Sequence, residues 1–180
     1  FWADHVADAA DLATDLNYIT TDLSAITYAE NAFKNNNDQL DAFFLSETKA
    51  VEAAMSFDLK RPFGQVNFIS TTGINTNLDA EAVKVTFAKA PTTFNAIDGT
   101  RGTETATLAP VDFTAFANTT ATNAGERHLT FDYIFADPDA EDQTLVDVTF
   151  ETEGTLGLEP ISVNNVPVQR NYRTNLKGNI

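Results

Sequence analysis

His5 and His128 are the only imidazoles in the chain. A hydrolase would need one of them beside an activated nucleophile, and neither lies near a Gly-x-Ser-x-Gly elbow. His5 sits close to the start. His128 opens an alternating segment on its solvent side, so both read as ordinary surface residues. Asp and Glu are plentiful, so a two-carboxylate glycosidase has no pair that stands out from the rest. Asp137, Asp139, Glu141 and Asp142 alternate like part of a calcium loop. The glycine at the sixth position and the distal glutamate are missing, so a solvated turn is expected, with no metal. Gly99-Thr100-Arg101-Gly102 reads as a hairpin tip and not as a phosphate-binding loop. Asn118-Thr119-Thr120 matches an N-glycosylation acceptor and hints at a surface loop. The absence of Cys removes thiol nucleophiles, disulfides, zinc ribbons and iron–sulfur clusters, without fixing the compartment. The expectation is a protein that is not an enzyme and carries no cofactor.

The remaining chemistry is charge. The 180 residues hold 26 acidic and 11 basic side chains, a formal net charge of -15. Such a field repels phosphate backbones and anionic bilayers. Against it, Arg170, Arg173 and Lys177 fall close together. They read either as the cations of a terminal strand offsetting an acidic body or as a docking patch for an acidic partner.

The elements that must position these residues are strands. Residues 1–6 suit a strand end. From Ala7 the spacing of Leu12, Leu16, Ile19 and Leu23 predicts a short helix, and residues 34–38 read as a polar, exposed turn. From about residue 52 the period becomes two. Met55, Phe57 and Leu59 alternate with Ser56, Asp58 and Lys60, and Pro62 interrupts at a bulge or edge. Val66 and Phe68 resume the pattern. Val83, Val85 and Phe87 then alternate with polar neighbours, and a Thr-rich strand follows the Asp98-Gly99 turn. Leu129, Phe131, Tyr133 and Phe135 form another alternation, ended by Asp137-Pro138-Asp139. Val146, Val148 and Phe150 form the next, Gly154 marks a turn, and residues 156–163 are extended. Strands at short intervals, with turn residues between them, predict an all-β antiparallel sandwich with one wet face per sheet. Phe57, Leu59, Val85, Phe87, Phe131, Tyr133, Val148 and Phe150 are its expected core. No linker or fixed-period repeat divides the chain, and no run approaches the roughly 18 apolar residues of a membrane span. The start at Phe1-Trp2 reads as a processed or trimmed end.

The most distinctive stretch is the last: Val166-Pro167-Val168-Gln169-Arg170-Asn171-Tyr172-Arg173-Thr174-Asn175-Leu176, then Gly178-Asn179. It resembles the closing strand of the fimbrillin-like pilin and surface-protein family of Gram-negative anaerobes. Phe1-Trp2-Ala3-Asp4, Asp41-Ala42-Phe43-Phe44, residues 59–68 and Thr93-Phe94-Asn95 with Asp98-Gly99 resemble other segments of that family in order. The resemblance implies a transthyretin-like sandwich with one or two short helical segments near the N-terminus, in a single domain over residues 1–180 that lacks the family's first strands. It implies a fimbrial subunit or adhesin module at the cell surface, outer membrane and fimbrium, made from a lipoprotein precursor whose lipid anchor is the membrane contact. Its partners would be further pilin subunits, or copies of itself, joined by strand exchange, and a host glycan or protein. Residues 166–176 would be the closing, exchangeable strand, with Val166, Val168, Arg170, Tyr172 and Arg173 as its working positions. The expected alternative is a carbohydrate-binding sandwich in which exposed aromatics such as Trp2, Tyr18 or Tyr28 stack on sugars.

Overall fold

The computed structural model describes residues 1–5, 17–71, 82–117, 125–138, 143–153 and 159–179. It is all β apart from one short 3₁₀ turn at Asp38–Leu40. The strands are β1 (Trp2–Ala3), β2 (Tyr18–Ile19), β3 (Ile26–Tyr28), β4 (Phe43–Phe44), β5 (Phe63–Ser70), β6 (Ala82–Pro91) and β7 (Thr93–Asn95). They continue as β8 (Thr100–Arg101), β9 (Thr105–Leu108), β10 (Thr114–Ala115), β11 (Arg127–Phe135), β12 (Thr144–Glu153), β13 (Ile161–Val168) and β14 (Arg173–Gly178).

Two sheets make the sandwich. One runs β10-β6-β12-β13, with β9 beside β10 on the same edge of β6. The other runs β11-β5-β14. The alternating Val83, Val85, Phe87, Val146, Val148 and Phe150 are all buried, as their period requires. Phe68 meets Phe150 across the layers at 4.9 Å between ring centroids. A small sheet, β2-β3-β7-β8, closes one end over an aromatic cluster of Trp2, Tyr18, Tyr28, Phe63, Phe94 and Phe135. Every pairing is antiparallel except β14, which lies parallel to β5.

Several expectations are corrected. The helix expected from Ala7 falls partly outside the described residues. Within them, Tyr18 and Ile19 form β2 and Leu23 lies in a turn, because Tyr18 buries its ring and donates its hydroxyl to Leu40 O at 2.5 Å. Met55, Phe57 and Leu59 form no strand and are 42%, 44% and 45% exposed. An alternating pattern needs a neighbouring edge, and only Lys60 finds one, in a single bridge to Phe44. Phe57 and Leu59 therefore leave the core. Phe131 is half-buried and packs against the core from its margin. The central strand β5 has no wet face: Val66, Asn67, Phe68, Ile69 and Ser70 are all buried. On β11, Thr130 and Asp132 are as buried as Leu129 and Ile134.

The 34–38 turn also differs from a plain exposed loop. Asn35 is buried and ties the two sheets together. Its amide donates to Val85 O (3.1 Å) and Asp132 Oδ1 (2.6 Å), and its Oδ1 accepts from Val85 N–H (2.8 Å). Asn36, at φ 57, accepts and returns bonds along β11: its N–H reaches Phe131 O and its Oδ1 takes the Phe131 N–H. That covers the outer edge of β11.

Candidate functional site

Residues 166–176 are two strands in two different sheets, not one closing strand. β13 is the outer strand of the larger sheet and β14 the outer strand of the smaller one. The change of sheet happens in a tight turn. Asn171 takes φ 63, its N–H donates to Phe63 O (2.9 Å), and the Tyr172 N–H closes on Gln169 O (3.1 Å). Asparagine tolerates this left-handed conformation better than most residues. Gly64 lies directly beneath the turn: an added Cβ would come to 2.5 Å from Val168 Cγ1 and 2.6 Å from Gln169 O.

Arg170 locks the corner. It is 5% exposed, and its guanidinium carbon sits 5.2 Å from the ring centroids of both Phe44 and Phe94. Nε donates to Ala136 O at 3.2 Å and Nη2 to Gly99 O at 2.6 Å, while the backbone N–H reaches Asp137 O at 2.9 Å. Gly99 has φ 76, and a Cβ there would come within 3.0 Å of the Phe44 ring, so the 98–99 turn and Arg170 fit closely together. Asp137 in turn accepts from Arg101 Nε, so this member of the acidic run expected as a solvated turn is an ion-pair partner. Asp139, Glu141 and Asp142 lie outside the described residues, as does the Asn118-Thr119-Thr120 triplet.

The backbone of β14 is open on one side. The Gln65 N–H donates to Tyr172 O and the Thr71 N–H to Gly178 O (2.8 Å). In a parallel ladder alternate residues turn both backbone groups the same way. Even-numbered residues of β14 therefore face β5, and the N–H and C=O groups of Arg173, Asn175 and Lys177 face away. Among the described residues no strand pairs with them. β13 is likewise unpaired on its outer side, where Pro167 removes one donor and Asn165 bulges at φ 56. The bulge is held by Asp147, whose carboxylate accepts from Asn165 N–H (2.9 Å) and pairs with Lys89 (2.7 Å). These contacts, the lysine bond first, hold the Asp147 carboxyl below its usual range. Proline, bulges and flanking Lys and Arg are the usual devices that keep an edge from random pairing.

The expected working positions therefore separate. Val166 and Val168 are fully buried core residues, and Arg170 is a corner pin. Tyr172 (63% exposed) and Arg173 face solvent. They line a cleft of about 190 Å³ with Arg61, Phe63, Gln65, Tyr133 and Asn171. Gln65 lies directly opposite Tyr133 on one side and Arg173 on the other, so the three share a face. Arg61 is held by a two-point pair with Asp41 (2.8 and 2.7 Å) over the Phe43 ring, which raises its pKa further. Tyr133 donates to Asp38 Oδ1 at 3.3 Å, and burial above all pushes its phenol up to about 12. Sequence reasoning missed Arg61, Gln65 and Tyr133 as a group; the only signal was a second arginine, next to a proline, in a strongly acidic chain. Trp2, Tyr18 and Tyr28 pack within the aromatic cluster, with Tyr18 buried and Trp2 and Tyr28 half-buried. His128 is half-buried in β11 opposite Ile69, and His5 is exposed.

A family model described as "Family of unknown function (DUF6562)" matches residues 1–180. No curated protein matches the sequence. Among solved structures, a "putative cell adhesion protein" from Bacteroides fragilis is similar at 6% identity and a TM-score of 0.36, over 66% of this chain and 41% of that one. The chain thus matches less than half the length of that neighbour.

Proposed function

The chain belongs to the DUF6562 family, and from that premise we propose that it is a non-enzymatic structural protein of the cell surface, a fimbrial subunit or adhesion module that joins further subunits by strand addition. The observation that carries this reading is the placement of the two open edges. β9 and β10 cover the far edge of the larger sheet, and the 36 and 117 backbones cover the far edge of β11. Among the described residues β13 and β14 are the longest strands with an open side; both come from residues 161–178, and they meet where Thr174 Oγ1 donates to Pro167 O. A strand added there would gain main-chain hydrogen bonds from Arg173, Asn175 and Lys177. Such a contact between unlike surfaces does not close on itself, so it would propagate. The fimbrillin-like order of segments in the sequence supports the same assembly and a surface location.

The test is light scattering coupled to size exclusion after long incubation at high concentration. A ladder of multiples is expected. Lys177→Pro removes an outward N–H and, with it, only an exposed ion pair to Glu126, and should abolish the ladder while leaving the monomer folded. A persistent monomer for the unaltered protein would overturn strand addition between copies.

A further inference from the structure

We propose that the cleft between Arg61, Tyr172 and Arg173 binds a single sugar residue that carries one carboxylate. This reading stands on the cleft and does not depend on strand addition. Arg173 is exposed and, among the described residues, makes no hydrogen bond or ion pair. Its fork of N–H donors matches a planar carboxylate. Arg61 is already aligned by Asp41 and Phe43 through Nε and Nη2. Its Nη1 donors remain available, so no ordering of that side chain is needed on binding.

The other lining groups suit a sugar. Tyr172 offers an exposed ring at the rim. The amides of Gln65 and Asn171 can each donate to and accept from hydroxyls. The Tyr133 phenol stays protonated at neutral pH and its oxygen keeps a free lone pair while it donates to Asp38. At about 190 Å³ the space lies below the roughly 300–1,000 Å³ of pockets for larger ligands, which favours one ring over an oligosaccharide. Local charge favours a monoanion. Asp41 neutralises Arg61 and Asp38 lies behind Tyr133, so Arg173 supplies the single uncompensated positive charge. A phosphate or sulfate dianion would meet those two carboxylates and the net charge of -15.

The experiment is titration calorimetry of the full chain with glucuronic acid, N-acetylneuraminic acid, methyl glucoside, inorganic phosphate and triglutamate. Saturable one-site binding of at least one acidic sugar is expected, at least about tenfold tighter than methyl glucoside. Arg173→Ala should weaken it at least about tenfold, Arg173→Lys less, and Tyr172→Ala by several-fold. Lys177→Ala makes the same charge change outside the cleft and should leave the affinity unchanged. All three positions are exposed, and thermal melting of each variant checks that it folds. Equal binding of methyl glucoside would overturn the role of the carboxylate. Equal or tighter binding of phosphate or triglutamate would overturn the sugar. No saturable binding of either acidic sugar would overturn the site. Because assembly is read by size and this cleft by heat, failure of one proposal does not imply failure of the other.

Discussion

Arg170 and Arg173 are three residues apart and chemically identical, yet the fold uses them in opposite ways. Arg170 lies between two phenyl rings with its donors spent on carbonyls of two separate turns. Arg173 begins the outermost strand and lines an open cleft. The turn at 169–172 separates them: before it the chain is core, and after it the chain is edge. A cluster of cations in a sequence is therefore not one functional unit. Burial splits it into a part that builds the corner and a part left over for partners.

The largest effect should come from the buried member. Arg170→Ala removes two charge-assisted bonds and two ring contacts, and leaves Gly99 O and Ala136 O without these donors. A loss of about 3–5 kcal/mol in urea unfolding is expected. Arg170→Lys keeps the charge without the fork and should recover only part of it. If Arg170→Ala cost no more than an exposed substitution, the contrast between the two arginines would collapse. Gly64→Ala attacks the same corner from below, by forcing a methyl group against Val168 and the Gln169 carbonyl. About 1–3 kcal/mol should be lost, with the cleft next to the turn distorted as well. Val168→Asp is a poor probe of assembly, since an aspartate at a fully buried site unfolds the monomer before it tests an edge.

The two arginines also mark how much of the molecule was readable from its sequence. Alternation located β6, β11, β12 and part of β5, because a buried face leaves a period of two wherever the other face is polar. It failed at Phe57 and Leu59, where the period is present but no edge is available to pair with it. It failed in the other direction on β5 and β11, where both faces are buried and Asp132 sits at a polar position that never reaches water. Asn35 looked like one more residue of a polar run, and only the tertiary fold brings Val85 and Asp132 to it. Residues 166–176 were legible as the closing stretch. The switch between sheets was not, since a turn built on Gln169-Arg170-Asn171-Tyr172 contains neither Gly nor Pro.

Asp132 carries the comparison to an acidic group. Its Oδ1 accepts from Asn35, its Oδ2 has no hydrogen-bond partner among the described residues, and burial pushes its pKa up to about 8. The folded state thus favours the protonated acid. Its contribution to stability is complete below the ordinary carboxylate range and is lost as pH rises through about 8. Asp132→Asn fixes the neutral form. The variant should match the original protein near pH 4 and melt at a higher temperature by pH 8 or 9, with the gap widening between. A constant gap across that range would show that Asp132 does not titrate as a buried acid.

The smallest effect on stability should be at the open side. Tyr172→Ala and Arg173→Ala remove exposed side chains for which no hydrogen bond or ion pair is seen among the described residues. Each should stay within about 0.5 kcal/mol of the original protein in the same urea experiment. That near-silence is what sharpens the contrast. A surface tyrosine beside a free guanidinium is not needed to hold the fold, so any loss of binding in these variants is assigned to the cleft and not to unfolding. A large loss of stability from either would mean that the strand end is as fully engaged as the corner, and the division at residue 171 between structure and recognition would fail.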